Sequence, residues 1–253
     1  MTGRSARPRE RADLVLELFE GKAATWSAKY APDGRLTGRL ARLAEAVDGR
    51  VRSGGEVLDL GCGSGDLARQ LAAAGYRVAG CDIAPRMLAQ AAAADSVRGV
   101  SWIRLDLRWR ALPFGPASLD AVVASSLLEY VSDPSAVLRE CARVLRPGGV
   151  LLCTVPDVTH AMRWLEWPLV WIARMPLGGL SAGGWPRLAS YLTYLRISRN
   201  RRTARWWRTA GRRAGLAPEP GPPAGRHRAS LRLLTFNRSA DLAGLSIDHR
   251  GQL

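Results

Sequence analysis

The sequence predicts an α/β protein built on a mostly parallel sheet, doubly wound with helices on both faces. Three observations predict it. From Glu56 to Val155, short apolar runs alternate with segments of helical period, the pattern of successive βαβ units. Punctuation stands where helix ends need it, with Asp133 and Pro134 at one start and Pro147-Gly148-Gly149 at the following stop. A glycine-rich turn, Gly61 to Gly65, joins the first apolar run to the first helix of that series.

Taken in order, Arg11 to Glu20 places Leu14, Val15 and Leu18 on one helical face, and Leu36, Leu40, Leu43, Ala44 and Val47 repeat at helical spacing before Gly49. Glu56 to Leu60 then reads as a strand, Asp66 to Ala74 as a helix closed by Gly75, and Tyr76 to Cys81 as a second strand. Ala84 to Ala94 is an Ala-rich helix, Val100 to Leu105 a third strand, and Leu119 to Ala124 a fourth, after a loop with two prolines. The helix behind Asp133 turns Val137, Leu138, Cys141, Val144 and Leu145 inward, and Val150 to Val155 is a fifth strand. Past Pro156 the alternation stops. Residues 158–198 are rich in Trp, Gly and Pro; Arg202 to Ala214 then reads as a helix, Ala217 to Arg226 as a turn region and Leu231 to Phe236 as a last strand. The expected organisation is a flexible basic tail over 1–10, one domain over 11–237 with an insertion at about 158–198, and a loosely held end over 238–253.

A length of 253 residues suits one such domain. With 47% apolar and 23% charged residues, a disordered chain is excluded. Basic residues number 37 against 22 acidic, and all but Lys22 and Lys29 are Arg. The excess is lopsided: residues 158–253 carry 16 basic and 4 acidic side chains, so the front of the chain is nearly neutral. Cys62, Cys81, Cys141 and Cys153 form no CxxC pair and have no His at metal spacing, which argues against a disulfide framework and against a metal site. The longest apolar stretches fall short of the ~20 residues of a membrane span. The basic N-terminus lacks the apolar run of a signal peptide. A cytoplasmic protein is expected.

The glycine turn carries the chemistry. In Asp59-Leu60-Gly61-Cys62-Gly63-Ser64-Gly65-Asp66 the glycines let backbone pass close to a ligand, and the helix start offers N–H groups. Asp82 follows at the end of the second strand, where a carboxylate can accept hydrogen bonds from both hydroxyls of a ribose. The spacing is Gly-x-Gly-x-Gly, not the Gly-x-Gly-x-x-Gly of dinucleotide enzymes, which disfavours a nicotinamide oxidoreductase.

Glu56 to Asp66, Cys81-Asp82-Ile83, Ile103 to Leu107, Leu119 to Val131 and Leu138 to Gly149 together resemble the class I S-adenosylmethionine (SAM)-dependent methyltransferases. The nearest flavour is the broad group containing the ubiquinone- and menaquinone-pathway enzymes. The resemblance covers about residues 20–157, and 200–237 only in outline. It implies a Rossmann-like fold with SAM as cofactor. Gly61, Cys62, Gly63 and Gly65 would form the loop around the methionine moiety, with Asp59 holding the loop or the SAM amino group. Asp82 would bind the ribose, with Ile83 against the adenine; Asp106 would meet the adenine amino group, with Leu107 beside it. Ser125 would lie beside the sulfonium, and Tyr30 would touch the SAM carboxylate. Asp59 as a strand-end anchor, and Trp26 and Tyr30 as plain core contacts, are the structural alternatives. Asp120, at the start of the fourth strand, reads as structural.

Methyl transfer from a sulfonium needs alignment in a dry pocket more than acid–base help. A base serves only an acceptor that must lose a proton early. The two candidates are His160, just beyond the fifth strand, and Glu129, whose alternative role is to anchor its loop. The insertion, with Trp164, Trp167, Trp171, Trp185, Tyr191 and Tyr194 among arginines, stands where the family builds its substrate cap. This composition suits a small apolar or aromatic acceptor, methylated at oxygen, with nitrogen or carbon as alternatives. It also suits peripheral contact with an anionic membrane surface. The basic run Arg196 to Arg208 with Trp206 and Trp207 raises RNA as an alternative acceptor, disfavoured because no RNA-binding module accompanies it. A non-catalytic SAM-binding partner subunit is the remaining alternative.

Overall fold

The computed structural model describes residues 11–239, apart from 32, 33, 35, 97, 157, 159–165, 167–170, 172–185 and 221–230. Its elements are α1 (Arg11–Trp26), a 3-10 turn (Ser27–Tyr30), α2 (Thr37–Asp48), β1 (Glu56–Leu60), α3 (Asp66–Ala73), β2 (Arg77–Asp82), α4 (Pro85–Ala94), β3 (Val100–Arg104), β4 (Leu119–Ser125), α5 (Pro134–Val144), β5 (Leu145–Pro156), α6 (Pro186–Ile197), α7 (Ala204–Arg213), β6 (Leu216–Pro218) and β7 (Leu231–Arg238). The expected tails, 1–10 and nearly all of 238–253, and most of the insertion lie outside the described residues.

The seven strands form one sheet in the order β3-β2-β1-β4-β5-β7-β6. The first five run parallel; β7 pairs antiparallel with β5, and β6 antiparallel with β7. Chain order reverses between β1 and β4, which opens a crevice at the carboxyl ends of those strands.

Alternation of side chains across the sheet builds a core on each face. On one face Leu58, Leu60, Val122, Ala124, Leu151 and Cys153 pack with Leu138 and Cys141 of α5 and with Trp207 of α7. On the other, Val57, Ala121, Val123, Val150 and Leu152 pack with Leu43 and Val47 of α2 and Leu67 and Leu71 of α3. Helix α5 starts as its punctuation demands. Asp133 accepts hydrogen bonds from the Ser135 and Ala136 amides at 2.9 and 3.0 Å, and Pro134 takes the first helical position. Asp120 is structural, as expected: its Oδ2 accepts from the Glu56 amide at 2.8 Å and pairs with Arg146 at 2.6 Å, tying β4 to β1 and β5. Burial works against its charge, but these donors hold its pKa below the usual value.

Candidate functional site

The crevice is a cavity of about 2000 Å³, roofed by α1 and α2 and floored by the strand ends. Its base is the glycine turn. Gly61 and Gly63 adopt φ of 77° and 54°, in the left-handed region that glycine tolerates. The turn is pinned to β2: the Gly61 and Cys62 amides donate to the Cys81 carbonyl at 2.8 and 3.0 Å, and the Gly63 amide donates to Asp82 Oδ2 at 2.8 Å. The other oxygen of Asp82 accepts from the Ala84 amide at 2.9 Å. With the Ile83 amide also donating to it, the carboxylate keeps one of its four lone-pair sites for a ligand hydroxyl.

Gly61, Cys62, Gly63, Asp59, Asp82, Ile83, Leu107, Ser125, Tyr30 and Glu129 all line the cavity. Two expected residues are not brought to it. Gly65 (φ 73°) faces the sheet, where an added Cβ would stand 2.2 Å from the Trp102 ring and 2.9 Å from Ala91. It lets α3 close down on Trp102, a packing role. Asp106 is exposed, because the chain leaves β3 at Arg104 and turns over 105–109, where the Trp109 amide donates to the Asp106 carbonyl. Leu107 lines the wall, as do Leu105, Arg108 and Trp109 of the same turn. His160 lies outside the described residues.

Burial sets the electrostatics. Asp59 is 3% exposed on β1; burial, then the neighbouring Asp82, pushes its pKa up to about 7. Burial likewise raises Asp82, against hydrogen bonds from the Ala84, Gly63 and Ile83 amides. The Cys62 thiol is pushed well above its ordinary value by burial and by Asp59 and Asp82, so it is no nucleophile. Tyr30 is also raised, mainly by burial.

Glu129 is buried and fully engaged. Its Oε2 accepts from Ser198 Oγ at 2.5 Å and from Tyr194 OH at 3.2 Å, and its carbonyl accepts from Arg11 Nη2 at 3.0 Å and from the Arg199 amide at 3.1 Å. These bonds tie the end of α6 and the start of α1 to the loop after β4, the anchoring role. Beyond it runs an aromatic wall. Trp26 packs edge-on to Phe19 (5.4 Å), Phe19 to Tyr130 (5.3 Å) and Tyr130 to Tyr194 (6.4 Å), while Tyr194 stacks on Tyr191 (5.9 Å). Tyr191 OH donates to Glu166 at 2.5 Å, and Arg201 pairs with the same carboxylate at 2.6 Å.

One cavity residue was invisible in the sequence. Arg39 of α2 donates through Nη2 to Ser126 Oγ and to Thr154 Oγ1 (2.9 Å), at the ends of β4 and β5, and its buried Nε has no partner. Among the described residues no carboxylate pairs with it. Nothing distinguishes this arginine from the others in the chain until α2 lies over the strand ends. Together these groups suit a ligand with a hydroxyl at Asp82, a cation near Asp59 and a carboxylate near Arg39.

Comparison with known proteins bears on this geometry, since residues 58–153, from β1 through β5, match the methyltransferase-domain family. Residues 58–153 are therefore similar to a methyltransferase domain. Within this domain fall the glycine turn, Asp82, Leu107, Ser125 and Glu129, whereas Tyr30, Arg39 and the α1 side of the aromatic wall lie before it. The ubiquinone biosynthesis O-methyltransferase of Xylella fastidiosa (strain 9a5c) is 34% identical over 152 residues, 58% of this chain and 60% of that protein. The chain therefore spans less than two thirds of that relative's length. The magnesium protoporphyrin IX methyltransferase of Synechocystis PCC 6803, solved with bound SAH, superimposes with a TM-score of 0.66 at 19% identity, covering 90% of this chain and 99% of that one. The [4+2]-cyclase SpnF shares the fold with a TM-score of 0.60 at 23% identity, covering 85% of this chain and 77% of that one. That a cyclase wears the methyltransferase fold means function must be argued from the site.

Proposed function

We propose that this chain transfers a methyl group from SAM to a small apolar or aromatic acceptor, at an oxygen atom. The observation that carries the reading is the turn at the cavity base, where Asp82 holds the Gly63 amide and still lines the cavity with acceptor capacity for a ligand. When bound, SAM supplies an activated methyl on a sulfonium that is neutralised on transfer. The residues do the rest. Asp82 accepts a hydrogen bond from a ribose hydroxyl; Ile83 and Leu107 flank the adenine; Asp59 faces the ammonium; Arg39, with Tyr30, receives the carboxylate. Ser125 borders the reacting end of the cavity. Asp106, exposed and not among the residues that line the cavity, has no part in this reading.

A cavity of about 2000 Å³ exceeds what one drug-sized ligand fills, and so leaves room for an acceptor beside the cofactor. The aromatic wall from Trp26 to Tyr191 offers that acceptor flat apolar surface and excludes water, which favours alignment over solvation. Glu129 acts as a positioning residue through Ser198 and Tyr194, and His160 is kept as the candidate base for a hydroxyl acceptor. The name of the Xylella relative supports oxygen as the methylated atom. Among the described residues no helix is long and apolar enough to cross a membrane. We place the chain in the cytoplasm, with the Trp-rich insertion as the part that would touch an anionic membrane surface.

The test is a SAM titration by calorimetry, followed by transfer of radiolabelled methyl into a cell extract split into organic-soluble, small polar, nucleic-acid and protein fractions. Saturable binding with label in the organic-soluble fraction is expected. Label in nuclease-sensitive material overturns the acceptor class, and tight binding without transfer to any fraction identifies a non-catalytic relative.

A further inference from the structure

A second groove of about 530 Å³ lies between the start of α5 and the length of α7. We propose that it binds a phosphate-bearing small molecule with a flat ring, of the kind a mononucleotide represents. Arg205, Thr209 and Arg213 line it at i, i+4 and i+8, one row along α7, and Arg139 and Ser135 line it from α5. Trp206 supplies a flat wall, its ring 5.3 Å from the Arg202 guanidinium.

The charge of this groove is not balanced by the protein. Helix α7 carries Arg205, Arg208, Arg212 and Arg213 and no acidic residue. On the α5 side, Glu140 is taken up by Arg143 at 2.6 Å. Asp133 comes only within 3.9 Å of Arg139, and its Oδ1 is committed to capping α5. Among the described residues neither Arg205 nor Arg213 has a carboxylate within ion-pair distance. Three guanidiniums gathered on one concave surface repel one another, and a bound anion turns that repulsion into attraction. The guanidinium fork matches two phosphate oxygens at once, and the hydroxyls of Ser135 and Thr209 add donors of the kind phosphate accepts. The indole suits a planar ring next to that phosphate. Arg139 also lines the sheet crevice, so the two cavities share this side chain.

The proposal is tested by calorimetric titration of the full chain with uridine monophosphate and with inorganic pyrophosphate, the crevice being saturated with S-adenosylhomocysteine. Saturable binding of the nucleotide with Kd below about 1 mM is expected, weakened about tenfold or more in the double variant Arg205→Gln/Arg213→Gln. The variant's thermal midpoint and its affinity for SAM should be unchanged, since both arginines are exposed on α7 and outside the crevice. Lys at both positions should recover part of the loss, because charge returns without the fork. Absence of saturable binding below that limit, equal affinity in the native chain and the Gln variant, or association confined to phosphatidylglycerol vesicles would each overturn it.

Discussion

Asp82 shows how one side chain does two jobs. It fastens the glycine turn through the Gly63 amide, and it also lines the cavity. Asp82→Ala should weaken SAM binding about 10- to 100-fold, the worth of hydrogen bonds to a charged group; an unchanged calorimetric Kd would contradict the assignment. Asp59 gives a pH signature. The folded chain titrates it at about 7 against an ordinary 3.8, so between those values the folded state keeps a proton that the unfolded chain has released. This group therefore lowers stability as pH rises through that window, by at most about 1.4 kcal/mol per pH unit, and no further above it. The Asp59→Asn variant cannot titrate, so its stability relative to the native chain should rise from pH 4 to pH 7 and then level off. Denaturant unfolding across that range would read it, and a constant difference would refute it. At this scale Asp59, Asp82 and Gly63 were legible, because strand, turn and acid stand at fixed spacing. Arg39 and Asp106 were not: the role of the first depends on which strand ends lie under α2, and that of the second on which way a loop turns.

Elements were legible wherever local pattern and burial agree. β1 and α2 begin and end within a residue or so of their sequence signals, and α5 begins where Asp133 and Pro134 place it but ends at Val144, before the expected Pro147 stop. Helix α1, by contrast, runs six residues beyond Glu20, through Gly21, because Ala23 and Trp26 gain contacts on Ala84 and Met87 that local propensity does not register. Strand β5 begins at Leu145 rather than Val150, since Leu145 finds a partner in Leu119 across a register shift. Helix α6 lies where Trp, Gly and Pro had suggested no regular element. The close fit of α3 to the sheet yields a prediction. The Trp102 ring is wedged between Gly65 and Gly80, where an added Cβ would approach it to 2.2 and 2.6 Å. Gly65→Ala adds a strained left-handed φ to that clash and should destabilise the fold by roughly 1–3 kcal/mol. Chemical denaturation should show the loss, and a midpoint equal to the native value would mean that Trp102 has another place to go.

For the whole molecule, the two clusters that sandwich the sheet are separate from the small cluster under α1, formed by Ala23, Ala84 and Met87 with Leu16, Phe19 and Trp26. Helix α1, on the roof of the cavity, packs through this small cluster instead of the two large ones, and local opening should begin there. Hydrogen exchange should proceed faster in α1 than in β1, β4 and β5, and SAM should slow the α1 amides most. Equal protection of α1 and the central strands would show that the roof opens only with global unfolding. The sequence by itself determined the α/β class, the five parallel strands, the glycine turn with its two acids and the basic second half. Each of these is written in local periodicity, punctuation and composition, which act over a few residues. Only the tertiary structure decided which residues share the cavity: Arg39 over Ser126 and Thr154, Glu129 tied to Ser198 and Tyr194, Gly65 turned to Trp102 and Arg139 set between two grooves. Those pairings join residues far apart in the chain, and they follow from strand order and helix packing, which no window along the sequence contains.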